Sequence, residues 1–219
     1  MAWGPACVER LRGMFAFAIW DQTQQTLFMA RDRMGVKPLH YALLPDGTLV
    51  FGSELKVITS HPGFERQIDP QAVEDYFALG YVPDPRCIYQ QAHKLPPGHT
   101  LTWRRGQVGL PSSQPYWDVK FTLDNPISLA DAEVELRERV RESVRLRMIA
   151  EVPLGAFLSG GVDSSAVVAA MAGLSNLPVR TCAIGFDDPQ FNESAFAQMV
   201  ADRYQTDHRL EIVKSDDFD

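Results

Sequence analysis

Short apolar runs separated by polar turns fill the first part of the chain and predict antiparallel strands. Residues 14–20 and 26–30 predict a β-hairpin whose strands are buried on both faces. Residues 31–38 then predict a polar loop, and a second hairpin follows in which residues 39–44 and 49–51 flank an Asp-Gly turn. We expect these four strands to form one layer of an antiparallel sheet.

A helix with defined ends is predicted after this sheet. Asp69 is a capping residue, Pro70 suits the first helical position, and Gly80 breaks the pattern. Tyr76 and Phe77 belong to an apolar stripe along this helix.

Two further strands, at 100–104 and 107–110, precede a segment rich in Pro, Ser and turn-forming residues at 111–126. Such a composition is typical of a connection between domains. We place a linker at 119–127, between a first domain at 1–118 and a second domain at 128–219.

The second domain alternates helices with apolar strands. Ser128 opens a long amphipathic helix, and apolar runs at 152–158, 179–186 and 208–213 follow it with helical segments between them. This alternation predicts a parallel sheet covered by helices. Three strands are few for such a sheet, so we expect the second domain to continue beyond this chain.

The segment Ser159–Ser165, with the sequence Ser-Gly-Gly-Val-Asp-Ser-Ser, joins the first of these strands to the next helix. Its paired glycines allow a tight turn and a close approach to a ligand. Ser164 and Ser165 are candidate caps for the helix, whose free N–H groups form an anion site. Asp163 would repel a phosphate unless it held a divalent cation, so we predict a nucleotide or pyrophosphate loop with Mg²⁺.

This loop is not a Walker A motif, because no Gly-Lys-Ser/Thr follows it. It matches the SGGxDS loop of the ATP pyrophosphatase superfamily. A simple Gly-Gly turn between a strand and a helix is the alternative, but it does not explain both serines and the aspartate at this spacing.

The composition is that of an ordinary globular protein of 219 residues with a net charge of −7, which argues against a general nucleic-acid binder. No apolar run approaches the roughly 20 residues needed to span a membrane, and the N-terminus lacks the pattern of a signal peptide. The three cysteines are widely spaced and suggest neither disulfides nor a zinc site. We therefore expect a cytoplasmic protein.

Taken together, the chain resembles the glutamine-dependent asparagine synthetase family in its bacterial form. The matching stretches occur in family order over nearly the whole chain: Gly13–Asp21, Arg31–Tyr41, Phe51–Lys56, Leu95–His99, Val152–Ser165 and Ala183–Phe186.

The resemblance implies two domains: a partial α+β glutaminase sandwich of the Ntn-hydrolase type, then a partial α/β ATP pyrophosphatase domain with a parallel sheet, of the adenine nucleotide alpha hydrolase-like type. In this family the first domain hydrolyses glutamine. The ammonia passes to the second domain, where ATP adenylates aspartate and ammonia displaces AMP. The implied ligands are ATP, Mg²⁺, aspartate and glutamine, with neither nucleic acid nor membrane as partner, and family members are often homodimers.

Several positions of this chain match the family's nucleotide site. The resemblance implies contacts to ATP or pyrophosphate from seven residues, with Asp163 also directed toward Mg²⁺: Leu158, Ser159, Gly160, Gly161, Asp163, Ser164 and Ile184.

The chain departs from the family at both ends. The family's glutaminase nucleophile is the cysteine exposed when the initiator Met is removed, whereas Ala2 stands at that position here. Cys7 lies where the family has a helix, so we expect no catalytic cysteine in this chain. The Ser-Gly-Glu-Gly-x-Asp-Glu stretch of the family is also absent. We expect both active sites to be incomplete, with no glutaminase activity and at most weak ATP binding.

Three hypotheses remain open. The first is part of an asparagine synthetase. The second is a related amidotransferase that acts on another carboxylate, such as a sugar or antibiotic precursor. The third is a non-catalytic, truncated nucleotide-binding remnant or interaction module, whose sheet edges and apolar faces a partner would cover.

Overall fold

The computed structural model describes residues 3–122 and 126–214. The chain divides into two compact units, the first ending at Thr122 and the second beginning at Leu123. Three stretches lie outside the described residues: residues 1–2, which include Ala2, residues 123–125 within the predicted linker at 119–127, and residues 215–219. No helix in the described ranges is long and apolar enough to cross a membrane.

The first unit opens with a 3₁₀ helix, Gly4–Arg10, and its described residues then form strands and two helices. In chain order these are β1 (Ala16–Asp21), β2 (Thr26–Arg31), β3 (His40–Leu43), β4 (Leu49–Gly52), α1 (Leu55–Thr59), α2 (Pro70–Leu79), β5 (Ala92–Lys94), β6 (His99–Arg104) and β7 (Ser113–Pro115).

Both predicted hairpins are present, because β1 pairs with β2 and β3 pairs with β4, each antiparallel. The prediction that all four strands share one layer is wrong. Within residues 3–122 one sheet has the order β1-β2-β6-β7 and a second has the order β4-β3-β5. The pairing of β2 with β6 and of β3 with β5 joins segments far apart in the sequence, which local patterns do not specify.

Strand β2 lies at the centre of the first unit. Leu27 and Met29 pack in one buried cluster with Tyr41 of β3 and Leu101 of β6. The opposite face of β2 is also buried, since Phe28 packs with residues of the 3₁₀ helix in another cluster. Burial on both faces is therefore confirmed for β2, whereas β1 is only partly buried and its expected burial is wrong.

Helix α2 has the predicted ends. The Asp69 side chain accepts a hydrogen bond from the Gln71 backbone N–H at 3.0 Å, and Gly80 closes the helix in the left-handed conformation. Its apolar stripe does not enter the core of the unit, because Phe77 is 83% exposed and Tyr76 is 54% exposed.

The strand predicted at 107–110 is absent. Gln107 N–H instead donates to Arg104 O at 2.9 Å in a turn, and the Val108 side chain is 97% exposed. Strand β7 lies in the segment at 111–126 that was predicted to connect the domains, and it pairs with β6. Tyr116 follows it and donates its hydroxyl to Arg31 O at 2.8 Å. This segment is thus held to the first unit.

The second unit alternates helices and strands as predicted. Its described elements are α3 (Leu129–Arg147), β8 (Gly155–Phe157), α4 (Val162–Ala172), β9 (Arg180–Phe186), α5 (Ser194–Tyr204) and β10 (Asp207–Val213). The Ser128 hydroxyl caps α3 by accepting from Asp131 N–H at 3.1 Å. Within residues 126–214 the strands form a parallel sheet in the order β10-β9-β8, which confirms the predicted parallel sheet.

Two apolar clusters attach the helices to this sheet. Ala197 and Ala201 of α5 pack with Val168 of α4 and Ala183 of β9. Val144 of α3 packs in a separate cluster. The strand predicted at 152–158 is shorter than expected, since only Gly155–Phe157 pairs with β9 and the Phe157 side chain is 81% exposed.

Candidate functional site

The predicted loop lies at the carboxyl end of β8, between that strand and α4. Leu158 is 1% exposed and donates its backbone N–H to Cys182 O at 2.8 Å, which holds the chain beside β9. Gly160 follows with φ +83°, a left-handed conformation that glycine adopts without a steric penalty. Gly161 is the N-cap of α4. Ligands of parallel α/β sheets bind at this edge.

Two serine hydroxyls hold the loop closed. Ser159 Oγ lies 3.0 Å from Ser164 Oγ and accepts from Gly161 N–H at 3.3 Å. Ser164 Oγ also donates to Gly161 O at 3.2 Å. The prediction that Ser164 and Ser165 cap the helix is wrong, because both lie within α4. The N-cap position is occupied by Gly161, and no side chain makes a capping hydrogen bond there. The first turn of α4 thus keeps N–H groups that have no acceptor within the helix.

Asp163 lies in the first turn of α4 and is exposed. Within residues 3–122 and 126–214, no three His, Cys, Asp or Glu side chains stand together as a metal site. Mg²⁺ is commonly held by one or two carboxylates together with phosphate oxygens and water. A single carboxylate beside free N–H groups therefore fits Mg²⁺ that arrives with a nucleotide, and does not fit a metal site made of protein ligands alone.

Five of the seven predicted residues line two clefts, and Gly160 and Gly161 line neither of them. Leu158, Ser159 and Ile184 line a cleft of about 190 Å³ between the loop and α5. Asp163 and Ser164 line a second cleft, of about 500 Å³, against α3. Phe157 borders both clefts.

Leu158 and Ile184 are neighbours because they lie at the ends of adjacent parallel strands. Strands β8 and β9 are neighbours in register, with Phe157 opposite Cys182. Ile184 is 57% exposed at the cleft, whereas Leu158 is buried beneath it. The two residues form an apolar wall next to the polar loop.

Sequence reasoning missed a group of residues that complete the smaller cleft: Cys182, Phe186, Phe191, Glu193, Ser194 and Ala197. Most of them follow β9 or begin α5. The sequence pattern could have identified them, because the residues that follow the next parallel strand lie at the same carboxyl edge of the sheet as the loop.

Cys7 lies in the 3₁₀ helix and is a free, partly buried thiol. It packs against the cluster of Val8, Phe28 and Ala30. Its position in a helix agrees with the helix expected for this stretch. Its surroundings are apolar, as for a small packing residue.

Two protein families match successive parts of the chain, in the domain order expected from the sequence. The glutamine amidotransferase domain family matches residues 1–117, and the asparagine synthase family matches residues 135–219. The loop of Ser159 and the cleft beside it lie in the second match.

Individual relatives cover nearly the whole chain. Asparagine synthetase 3 (glutamine-hydrolysing) of Bacillus subtilis is 34% identical over 89% of this chain and 32% of its own length. A Methanocaldococcus jannaschii protein, provisionally named glutamine-hydrolysing asparagine synthetase 2, is 35% identical over 97% of the chain and 41% of its own length. Amidase chry2 of Gibberella zeae is 32% identical over 98% of the chain. The chain thus spans about a third to two-fifths of the length of these curated relatives.

Proposed function

Since this chain belongs to the glutamine-hydrolysing asparagine synthetase family, we propose that it is part of an enzyme that uses ATP and glutamine to amidate aspartate. The observation that carries this proposal is the loop Ser159–Ser164, which joins β8 to α4 at the carboxyl edge of a parallel sheet. We assign residues 1–118 to a glutaminase domain of the Ntn type and residues 128–219 to an ATP pyrophosphatase domain, with the linker at 119–127.

Each loop residue has a role in this proposal. The free backbone N–H groups in the first turn of α4 bind the phosphates, assisted by the positive end of the helix. The Ser159 and Ser164 hydroxyls, 3.0 Å apart, keep the loop in the conformation that presents these groups. Asp163 holds Mg²⁺ against the phosphate oxygens. Ile184 contacts the adenosine through its exposed apolar side chain, and Leu158, buried beneath it, supports this apolar wall of the cleft.

The chemistry that this site serves is the activation of a carboxylate. ATP supplies an adenylyl group, which turns a poor electrophile into an acyl-AMP with a good leaving group. The contribution of these residues is to bring two anions together and to stabilise the charge that develops on the phosphates.

Magnesium-dependent binding of ATP tests the proposal. We expect Mg·ATP at ten times its Kd to stabilise the 219-residue chain by about 1.4 kcal/mol, seen as a rise in the melting temperature of the second unit. Asp163→Asn should abolish the dependence on Mg²⁺. Glu138→Gln, which changes an exposed carboxylate on α3, is the matched control and should retain it. Equal responses of the two variants would remove Asp163 from the metal site.

A second candidate is amidation of a different carboxylate. It is favoured by the similarity to amidase chry2, which is as extensive over this chain as the similarity to the synthetases. Pyrophosphate release by the protein in its full length, measured with aspartate and with a panel of other carboxylic acids, separates the two. Release with aspartate alone supports asparagine synthesis, whereas release only with another acid supports the alternative.

A further inference from the structure

The start of helix α5 lies in direct contact with the loop of Gly160. A Cβ placed on Gly160 would lie 2.5 Å from the Phe196 carbonyl carbon and 2.6 Å from the Ala197 backbone nitrogen. These distances are shorter than any normal contact, so the two backbones already touch. A displacement of α5 toward the loop therefore has to move Gly160.

A second glycine confines the same part of the chain. A Cβ placed on Gly185, near the end of β9, would lie 3.0 Å from Asn192 Oδ1 and 3.3 Å from Ser194 Cβ. Asn192 Oδ1 also accepts from Ser194 N–H at 3.0 Å. The beginning of α5 is thus closely packed on β9 as well as on the loop, and it has little freedom to move aside.

Ala197 sits where these contacts meet. Its side chain is fully buried and packs in one cluster with Leu158, the residue that immediately precedes Ser159. It also lines the smaller cleft. A larger side chain here would push α5 away from Leu158 and shift the backbone against which Gly160 rests.

Ala201 offers an internal comparison. It lies one turn further along α5, belongs to the same buried cluster and is 3% exposed. It does not line the cleft, in contrast to Ala197. Enlarging Ala201 should disturb the core to a similar degree while leaving the loop in place.

We propose that Ala197 is a positioning residue for the phosphate loop. Its small side chain sets the separation of α5 from Leu158, and the α5 backbone then holds Gly160 in the left-handed conformation that presents the N–H groups of the loop. The ligand in this inference rests on the proposed function, whereas the placement of the loop by α5 does not.

The test compares Ala197→Val with Ala201→Val in the 219-residue chain. The amide resonances of Gly160 and Gly161 are recorded by NMR after labelling with ¹⁵N-glycine, and Mg·ATP binding and the melting temperature are measured on the same samples. We expect both variants to lower the melting temperature by similar amounts. Only Ala197→Val should shift the two glycine resonances and weaken Mg·ATP binding, by about tenfold or more.

The outcomes distinguish the two proposals. Unshifted glycine resonances in Ala197→Val, or equal effects of the two variants on binding, would overturn the positioning role. Failure of the unsubstituted chain to bind Mg·ATP would instead count against the nucleotide function, and the resonances would still decide the role of Ala197. If Ala197→Val does not fold, Ala197→Ser and Ala201→Ser, which each add one oxygen atom, are compared by the same resonances with the same expected direction.

Discussion

The guanidinium of Arg31 donates through Nη1 to Asp84 Oδ2 at 2.9 Å, across 53 positions of the sequence. The same nitrogen donates to Leu95 O at 2.7 Å. Nε donates to Lys37 O at 2.9 Å and Nη2 donates to Gly35 O at 2.8 Å. One buried side chain therefore joins the loop after β2 to two distant segments of the first unit.

We expect Arg31→Lys to destabilise the first unit by about 3 kcal/mol, because an ammonium group cannot reach this set of acceptors in the geometry of a guanidinium. Chemical denaturation, followed by the fluorescence of the tryptophans of this unit, gives the free energy of unfolding. Arg105→Lys is the control, since its Nη1 makes a solvent-exposed hydrogen bond to Gln25 Oε1 at 3.1 Å. If Arg31→Lys lowered the free energy of unfolding by less than about 1 kcal/mol, the Arg31–Asp84 pair would be no stronger than a surface ion pair.

Asp32 is the second buried charge of this loop. Its carboxylate is 1% exposed and accepts from four backbone N–H groups, those of Lys37, Val36, Met34 and Phe15, at 2.9 to 3.3 Å. Burial raises the pKa of Asp32, but the four hydrogen bonds together lower the pKa below its ordinary value of 3.8. The carboxylate therefore orders the loop as an anion.

Acid should weaken the first unit through Asp32. The unfolded carboxyl takes up a proton at a higher pH than the folded one, so stability is lost as the pH falls below about 4 and through the folded pKa. Asp32→Asn should cost about 2 kcal/mol at pH 7 and should flatten this part of the pH profile. Glu65→Gln, at an exposed carboxylate of the same unit, should leave the profile unchanged. Denaturation at a series of pH values provides the measurement.

His93 predicts a second pH dependence at higher pH. Its ring stands 5.6 Å from that of Tyr41, and burial lowers the pKa of His93 below 6.5. His93 therefore binds a proton more weakly in the folded unit than in the unfolded chain. The free energy of unfolding should fall as the pH drops below 6.5. Burial also lowers the pKa of His40. His93→Gln should reduce the slope between pH 6.5 and 5 without removing it, and an unchanged slope would exclude His93 as a contributor.

Gly160→Ala should destabilise the second unit by about 2 kcal/mol, because φ at this residue is +83° and α5 leaves no space for a Cβ. Gly173→Ala is the matched control in the same unit. Gly173 has φ −74° and its nearest neighbour would be 3.5 Å from a new Cβ, so alanine there should be neutral or slightly stabilising. Thermal melting of both variants decides the point, and equal melting temperatures would show that the loop can move away from α5.

The positions of the helices followed from local chemistry. Asp69 and Ser128 were predicted to open helices, and both do. The side chain of each accepts a hydrogen bond from a backbone N–H group two or three residues further along the chain. Such contacts involve only neighbouring residues, so they can be read from a short stretch of sequence. The parallel sheet of the second unit was predictable for a related reason, because alternation of strands and helices leaves few arrangements.

Contacts between distant residues were not predictable in the same way. The residues at 31–38 were expected to form a polar loop, yet Arg31 and Asp32 are buried. Asp84 and Leu95, both distant in the sequence, accept from Arg31, whereas Asp32 accepts mainly from backbone N–H groups of its own loop. A sequence shows that a residue is charged, but it does not show whether an acceptor 53 positions away will meet it. The prediction that β3 and β4 share one sheet layer with β1 and β2 failed for the same reason.

The sequence by itself determined the family resemblance, through matching stretches along the whole chain, and the candidate contacts of the loop at Ser159 are predicted from its residue types and spacing. Only the tertiary structure decided how the loop is held. Ser164 bonds back to the loop, and Gly160 rests on the backbone of α5, a helix that begins more than thirty residues later. Residue types are fixed by local sequence, whereas the position of a backbone depends on which distant surfaces pack against it, and that is settled only when the whole unit folds.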